Sequence, residues 1–259
     1  MNQKVYFVDA FTSELFKGNP AGVIFYTEAM SSGLMQKIAA ENNLSETAFI
    51  DINSNEIRFF TPEIEVNLCG HATLASAFIY FTFIDTEKNK VTFHSKRGSL
   101  VALKAATGIQ ISLPRDTLRK VDYHQLFEDA LNVPVNELYK GIDDYLVILD
   151  SEDTVKNLEP NFELLKEIDA RGIVVSAKGN EIDFVSRWFG PQTGVNEDPV
   201  TGSAHALLTP YWAENLGKTH MQAVQLSPRG GKLDCELDSD FVYITGEAKL
   251  YLKGKINLD

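Results

Sequence analysis

The 259-residue chain predicts an α+β fold. Two pseudo-symmetric domains are expected, each a barrel-like, mostly antiparallel sheet wrapped round one central apolar helix, with the site in the cleft between them. Three observations lead there. Short motifs recur in order along the chain. Each half sets strand-like runs around one run that is apolar on every side. Both apolar runs open on a glycine beside a small polar or reactive residue, in VNLCGHATL (66–74) and DPVTGSAHA (198–206).

The repeat is visible by eye. Residues 55–59, NEIRF, match 180–184, NEIDF; Gly70 and Ala72 match Gly202 and Ala204; Ser95, Arg97 and Gly98 match Ser227, Arg229 and Gly230. Three matches in one order indicate two homologous halves. Between the first and second matches the spacing grows, so the loop RWFGPQTGVNED (187–198) carries an insertion. The periodicity breaks in the polar segment LPRDTLRKVDY (113–123), which places the domains at 1–115 and 116–259.

In the first half VYFVDAF, GVIFY, AFIDI and EIRFFT are short runs rich in β-branched and aromatic residues, bounded by Gly, Pro, Asn and Ser, and read as strands. MSSGLMQKIAAEN spaces its apolar residues as a helix does, with Ser31 or Ser32 as N-cap. HATLASAFIYFTFI is apolar all round, so as a helix it is buried all round. VTFHSKRGSLVALKA and GIQISLP follow as a hairpin-like pair. The second half runs DYLVILD, helix NFELLKEID, GIVVSA, EIDFVSRWF, buried helix SAHALLTPYWAENLG with Gly217 as its stop, then AVQLSPRGGKLDCEL and DFVYITGEAKLYL. A sheet closed round each apolar helix would bury the helix and remove the sheet edges together.

Composition narrows the function. A hydrophobic fraction of 44% and a charged fraction of 23% are those of an ordinary globular protein, not a disordered or fibrous one. The longest uncharged run, 72–84, is too short to span a bilayer, and the first residues hold no long apolar stretch, so a cytoplasmic protein is expected. A formal net charge of −12 without a basic cluster argues against nucleic acid and anionic membranes as partners. Cys69 and Cys235 are too few for a disulfide framework or a thiolate zinc site, and the five histidines fall into no ligand spacing; no metal is expected. No dinucleotide fingerprint or P-loop occurs, so no cofactor is expected either.

A helix start leaves backbone N–H groups unpaired and carries partial positive charge, and glycine lets a ligand approach them. Two such starts facing one cleft would hold a carboxylate. The alternative is that Thr201 and Ser203 merely cap a core helix. The segments DAFTSELFKGNPAGV, ENNLSETAFI, FFTPEIEVNLCGHATLASA, GVNEDPVTGSAHALL and SPRGG, in that order over nearly the whole chain, resemble the phenazine-biosynthesis PhzF family. More distantly, CGH and TGS resemble the paired segments of diaminopimelate epimerase and proline racemase. The resemblance implies two barrel-and-helix domains, an isomerase site in the cleft, and a homodimer.

Glu46, in NLSETAF, is flanked by Leu44 and Phe49; desolvation there would suit a general base, against the alternative of an exposed loop acid. By resemblance it is the catalytic glutamate. His71 by resemblance assists proton handling or orients the substrate, and is otherwise a structural cap. Asp198 by resemblance positions the substrate and tunes His71, and is otherwise a helix-dipole partner. Gly70, Gly202 and Ser203 would bind the substrate carboxylate. Asn19, in GNPAG, either lines the cleft or is a turn residue. His205 reads as packing, and neither Arg97 nor Arg229 is assigned a role. The related racemases use two thiols, whereas here Thr201 stands opposite Cys69, so a symmetric two-thiol mechanism is not expected. The leading expectation is a cofactor-independent isomerase moving a carbon-bound proton in a small carboxylic acid, with Glu46 as acid/base. Its rivals are a Cys69/Thr201 epimerase or dehydratase and a non-catalytic small-acid-binding protein.

Overall fold

Strand and helix propensities set the order of elements in the structure, a computed structural model that describes residues 2–122 and 125–258. Tyr123 and His124, at the expected domain boundary, lie outside the described residues. The chain divides into two units, Met1–Ser112 with Thr245–Asp259, and Leu113–Ile244. The last strand joins the first unit because it pairs along the whole of the first strand, from Asn2↔Asn257 to Ala10↔Ala248.

The first unit contains β1 (Asn2–Ala10), β2 (Asn19–Tyr26), α1 (Ser32–Asn42), β3 (Glu46–Asp51), β4 (Ile57–Phe60), β5 (Glu65–Val66), α2 (Gly70–Ile79), β6 (Lys90–Ser95), β7 (Gly98–Ala105) and β8 (Gly108–Pro114). In the second are β9 (Arg119–Lys120), α3 (Gln125–Leu131), β10 (Glu137–Lys140), β11 (Asp144–Ile148), α4 (Glu152–Lys156), α5 (Phe162–Leu165), β12 (Gly172–Lys178), β13 (Phe184–Gly190), β14 (Val195–Asp198), α6 (His205–Leu216), β15 (His220–Gln225), β16 (Gly231–Leu237) and β17 (Phe241–Gly246). The chain ends in β18 (Ala248–Asn257).

The first unit's main sheet has the order β18-β1-β2-β3-β4-β5; β2–β3 is parallel and its other pairs are antiparallel. A parallel bridge, Glu56↔His94, then leads from the start of β4 into β6. Taken by itself, the second unit runs through a like succession, β9-β10-β11-β12-β13-β14, with β11–β12 parallel and β13 continuing in parallel to β15.

No closed barrel forms among the described residues, contrary to the expected closed wrapping; the sheets are large and open. Edge strands need protection, and here closure is replaced by two other devices. The edge strands β5 and β9 are two residues long, and the outer strand β18 carries Lys249, Lys253 and Lys255.

The two apolar helices are buried as their sequences require. Every residue of α2 but Phe78 is buried, and Thr73 and Ser76 satisfy their hydroxyls on the carbonyls one turn back, Cys69 at 2.6 Å and Ala72 at 2.7 Å. The expected helix to residue 84 loosens into a π turn at Tyr80–Ile84. Helix α6 contains Pro210, which removes the donor that would reach Ala206; the N–H of Asp116 takes that carbonyl instead, at 3.1 Å. Gly217 ends the helix at φ 66°, as expected. Ser31 is the N-cap of α1, accepting from Leu34 N–H. The first core packs Ile24, Met35, Ile38, Phe49 and Phe60 between sheet and α1; each such fully buried side chain contributes about 1.5–3 kcal/mol. Phe127, Leu131, Val147, Val175 and Phe189 anchor the second. Helix α3 and strand β10 were not read from the sequence.

Candidate active site

The parallel register of β2 and β3 brings their first residues to the same end of the sheet, with Ala21 opposite Glu46. Asn19 opens β2 and is fully buried. Gly18 makes that entry possible: its φ is +64°, and a Cβ there would lie 2.1 Å from the carbonyl oxygen of Ala10. The loop before it also holds Phe11 and Phe16 at positive φ, a conformation costing of order 1–3 kcal/mol for such residues and typical of functional segments. Cys69 and Gly70 start α2, which crosses β1, β2 and β3, so His71 in its first turn meets both strand ends.

His71 is the hub. Its Nε2 lies 3.2 Å from Glu46 Oε2, and its Nδ1 lies 3.1 Å from Asn19 Nδ2 and 3.4 Å from Cys69 Sγ. His71 and Cys69 are buried, while the Glu46 side chain keeps 19% exposure, enough to meet a ligand. With Nδ2 facing the ring, the Asn19 amide can donate only to a neutral imidazole whose proton sits on Nε2, towards Glu46. A doubly protonated ring would take the carbonyl end of the same amide, after a half-turn, as its acceptor.

Burial drives the Cys69 thiol up to about 11, and the Glu46 charge adds to the effect. Cys69 is therefore a thiol, not a thiolate, at neutral pH. For His71, burial opposes the charged form, but the neighbouring Cys69 and Glu46 outweigh it and hold the imidazole well above its usual range. The donor atoms of Glu46, Cys69 and His71 lie within 4.8 Å of one another, a spacing one metal ion could bridge; in the structure they are linked by hydrogen bonds and an ion pair.

In the second unit Asp198 ends β14 and pairs with Trp188 of β13. The Thr201 hydroxyl donates to Asp198 Oδ2 at 2.5 Å, so the Thr201 side chain is tied to that carboxylate and makes no capping bond to the turn it precedes. Gly202 and Ser203 form a tight 3-10 turn leading into α6. Gln225, fully buried on β15, clamps the loop: its Oε1 accepts from Thr201 N–H at 2.8 Å and its Nε2 donates to the Asp198 carbonyl at 2.7 Å. Ser227 adds a bond to the Pro199 carbonyl at 2.7 Å. That is the task of the SPRGG motif, whose Gly230 turns at φ 66°; SKRGS is likewise a turn, with Gly98 at φ 113° and Ser95 bonded to the Gly98 carbonyl.

His205 packs against Phe184 as expected, donating Nδ1–H to the Thr201 carbonyl at 3.0 Å; burial pushes it down to about 4, so it stays neutral. Ser203 accepts from Arg171, which also grips Asp144.

Of the residues singled out in the sequence, Asn19, Glu46, Gly70 and His71 come together in the first unit, and Asp198, Gly202 and Ser203 in the second. Sequence reasoning passed over Gln225, Arg171 and Asp144. Arg171 carried a faint signal, an arginine directly ahead of the strand run GIVVSA; a lone Gln at a strand end carried none.

The family model described as PhzC-PhzF, phenazine biosynthesis-like protein, matches residues 8–254. The chain belongs to this family. A Pseudomonas aeruginosa protein named an uncharacterized isomerase is 42% identical over 260 residues, covering both chains fully. The crystal structure of a PhzF family protein from Enterococcus faecalis superposes with a TM-score of 0.96 at 43% identity, again over all of both chains. A probable proline racemase from Agrobacterium radiobacter shares the fold, with a TM-score of 0.64 at 10% identity, over 99% of this chain and 93% of that one. For a PhzF-type chain the mixed α+β architecture is thus the family's own. No helix among the described residues is long and apolar enough to cross a membrane.

Proposed function

We propose that the chain is a cofactor-independent isomerase, in which Glu46 removes a carbon-bound proton from a small carboxylic acid and returns it elsewhere on the same molecule. The family membership and the relatives named isomerases support the isomerase kind. The observation that carries the finer reading is the partly exposed Glu46 carboxylate fixed at 3.2 Å by His71, beside a Cys69 that burial keeps protonated. A positioned carboxylate with one exposed face is what a general base requires.

In this reading His71 orients Glu46 and supplies positive charge as the proton moves. Asn19 sets the ring; Gly70 is a substrate-binding residue of the first unit, and Gly202 and Ser203 of the second bind the substrate carboxylate. Asp198 positions that loop. The matching motifs and like pairing orders support descent of the two units from one duplicated, pseudo-symmetric ancestor. The alternative epimerase is less favoured, because Cys69 is no thiolate and Thr201 is bonded to Asp198. A homodimer remains part of the proposal and is checked by light scattering. The activity itself is tested by incubating the protein in heavy water with cyclic and unsaturated carboxylic acids. Proton NMR should show deuterium entering one carbon position; exchange with none of a broad panel would favour a non-catalytic binder.

A further inference from the structure

Asp144 is 3% exposed and spends both oxygens on neighbours. Its Oδ1 accepts from Arg171 Nε at 2.9 Å, and its Oδ2 accepts from the other arm of the same guanidinium and from Trp188 Nε1, the latter at 3.2 Å. This bidentate grip leaves the guanidinium little rotational freedom. Its remaining nitrogen, Nη1, lies 3.1 Å from Ser203 Oγ, and the guanidinium sits against the Trp188 ring, 5.6 Å from the centroid.

The direction of that bond has a chemical consequence. A guanidinium has five N–H donors and no acceptor, so Ser203 Oγ can only accept from Arg171. The serine's own proton is then turned away from Arg171 and offered to whatever else approaches. Ser203 is half-buried, so a ligand can reach it. A hydroxyl held in this way presents a donor, reinforced by a nearby positive charge, and selects a ligand acceptor over a ligand donor.

We infer that Arg171, anchored by Asp144, is a positioning and specificity residue that fixes the Ser203 hydroxyl as a hydrogen-bond donor to the carboxylate of the substrate. The inference rests on the reading that Ser203 takes that carboxylate. It adds two residues, Asp144 and Arg171, to the binding machinery, and predicts that uncharged amides of the same acids bind less well than the acids.

The test is binding of benzoate, as a simple cyclic carboxylate, measured by calorimetry on the full chain, with turnover read separately by deuterium exchange. Arg171→Ala and Ser203→Ala should each weaken binding about ten- to hundredfold, the loss expected for a hydrogen bond strengthened by charge. The double variant should be no worse than either single one, because the two act as one unit. Guanidinium ion added at millimolar concentration should restore binding to Arg171→Ala and not to the double variant. For exchange, KM should rise while kcat holds. Additive losses, or benzoate bound by Arg171→Ala as by the wild type, would overturn the role of Arg171. If Arg171→Ala does not fold, Asp144→Asn carries the same test: it releases one arm of the guanidinium, and unchanged benzoate affinity again overturns the inference. A wild-type chain that binds no benzoate, yet exchanges other acids, would instead overturn the assignment of the carboxylate to Ser203.

Discussion

Gln225→Leu should loosen the loop that carries Asp198 and Ser203. The amide of Gln225 is fully buried and makes the bonds that satisfy Thr201 N–H, at 2.8 Å, and the Asp198 carbonyl, at 2.7 Å. Leucine fills a similar volume but leaves both backbone groups without those partners in surroundings where Thr201 and Asp198 are less than a tenth exposed. A buried polar group left unsatisfied costs about 1–3 kcal/mol, so two cost about 2–6, and partial relaxation of the loop brings the expected loss to about 2–4 kcal/mol. Both tryptophans of the chain, Trp188 and Trp212, belong to the second unit, so their fluorescence reports that unit. With a urea slope of about 1–3 kcal/mol per molar, the midpoint should fall by about 1–2 M. KM for the carboxylic acid should rise in parallel. A midpoint within experimental error of wild type, with normal KM, would refute the clamp.

Two further outcomes follow from the first unit. Cys69 is buried with its thiol pushed up to about 11, so iodoacetamide should label it far more slowly at pH 7 than a free cysteine, with the rate climbing towards pH 10; rapid labelling at pH 7, blocked by substrate, would contradict this. His71 is held well above its usual range in the folded chain, so its contribution to stability is fully present below about pH 6.5 and is lost as pH rises through its folded value. Wild type should therefore lose stability relative to His71→Asn between pH 6.5 and higher pH by circular dichroism, and an imidazole titrating below 6.5 by NMR would overturn it.

Much of this was legible along the chain, because helix and strand periods, caps and turns are local. Ser31, Gly217 and the all-apolar run of α2 fell where their chemistry requires. The barrel did not close, since edge protection can come from lysines on β18 and two-residue strands as readily as from closure, and composition does not say which. The split of DFVYITGEAKLYL into β17 and β18 was hidden for a like reason: a run of strand-formers carries no mark of the partner it will pair with. The local motifs pointed to Glu46, His71 and Asp198. Gln225 and Asp144 left no mark in the sequence and Arg171 only a faint one, because each acts on a residue 24 to 32 positions away, through contacts that only folding creates.

The proposed chemistry turns on Glu46 as the base. The measurement that tests it most directly is the rate of substrate-carbon deuterium exchange in Glu46→Gln and Cys69→Ser, compared with wild type at neutral pH. Glutamine keeps the shape and a hydrogen-bonding group beside His71 but removes the base, so exchange should fall at least a hundredfold, while Cys69→Ser should lose much less. Exchange that survives in Glu46→Gln and disappears in Cys69→Ser would contradict the account and restore the thiol mechanism.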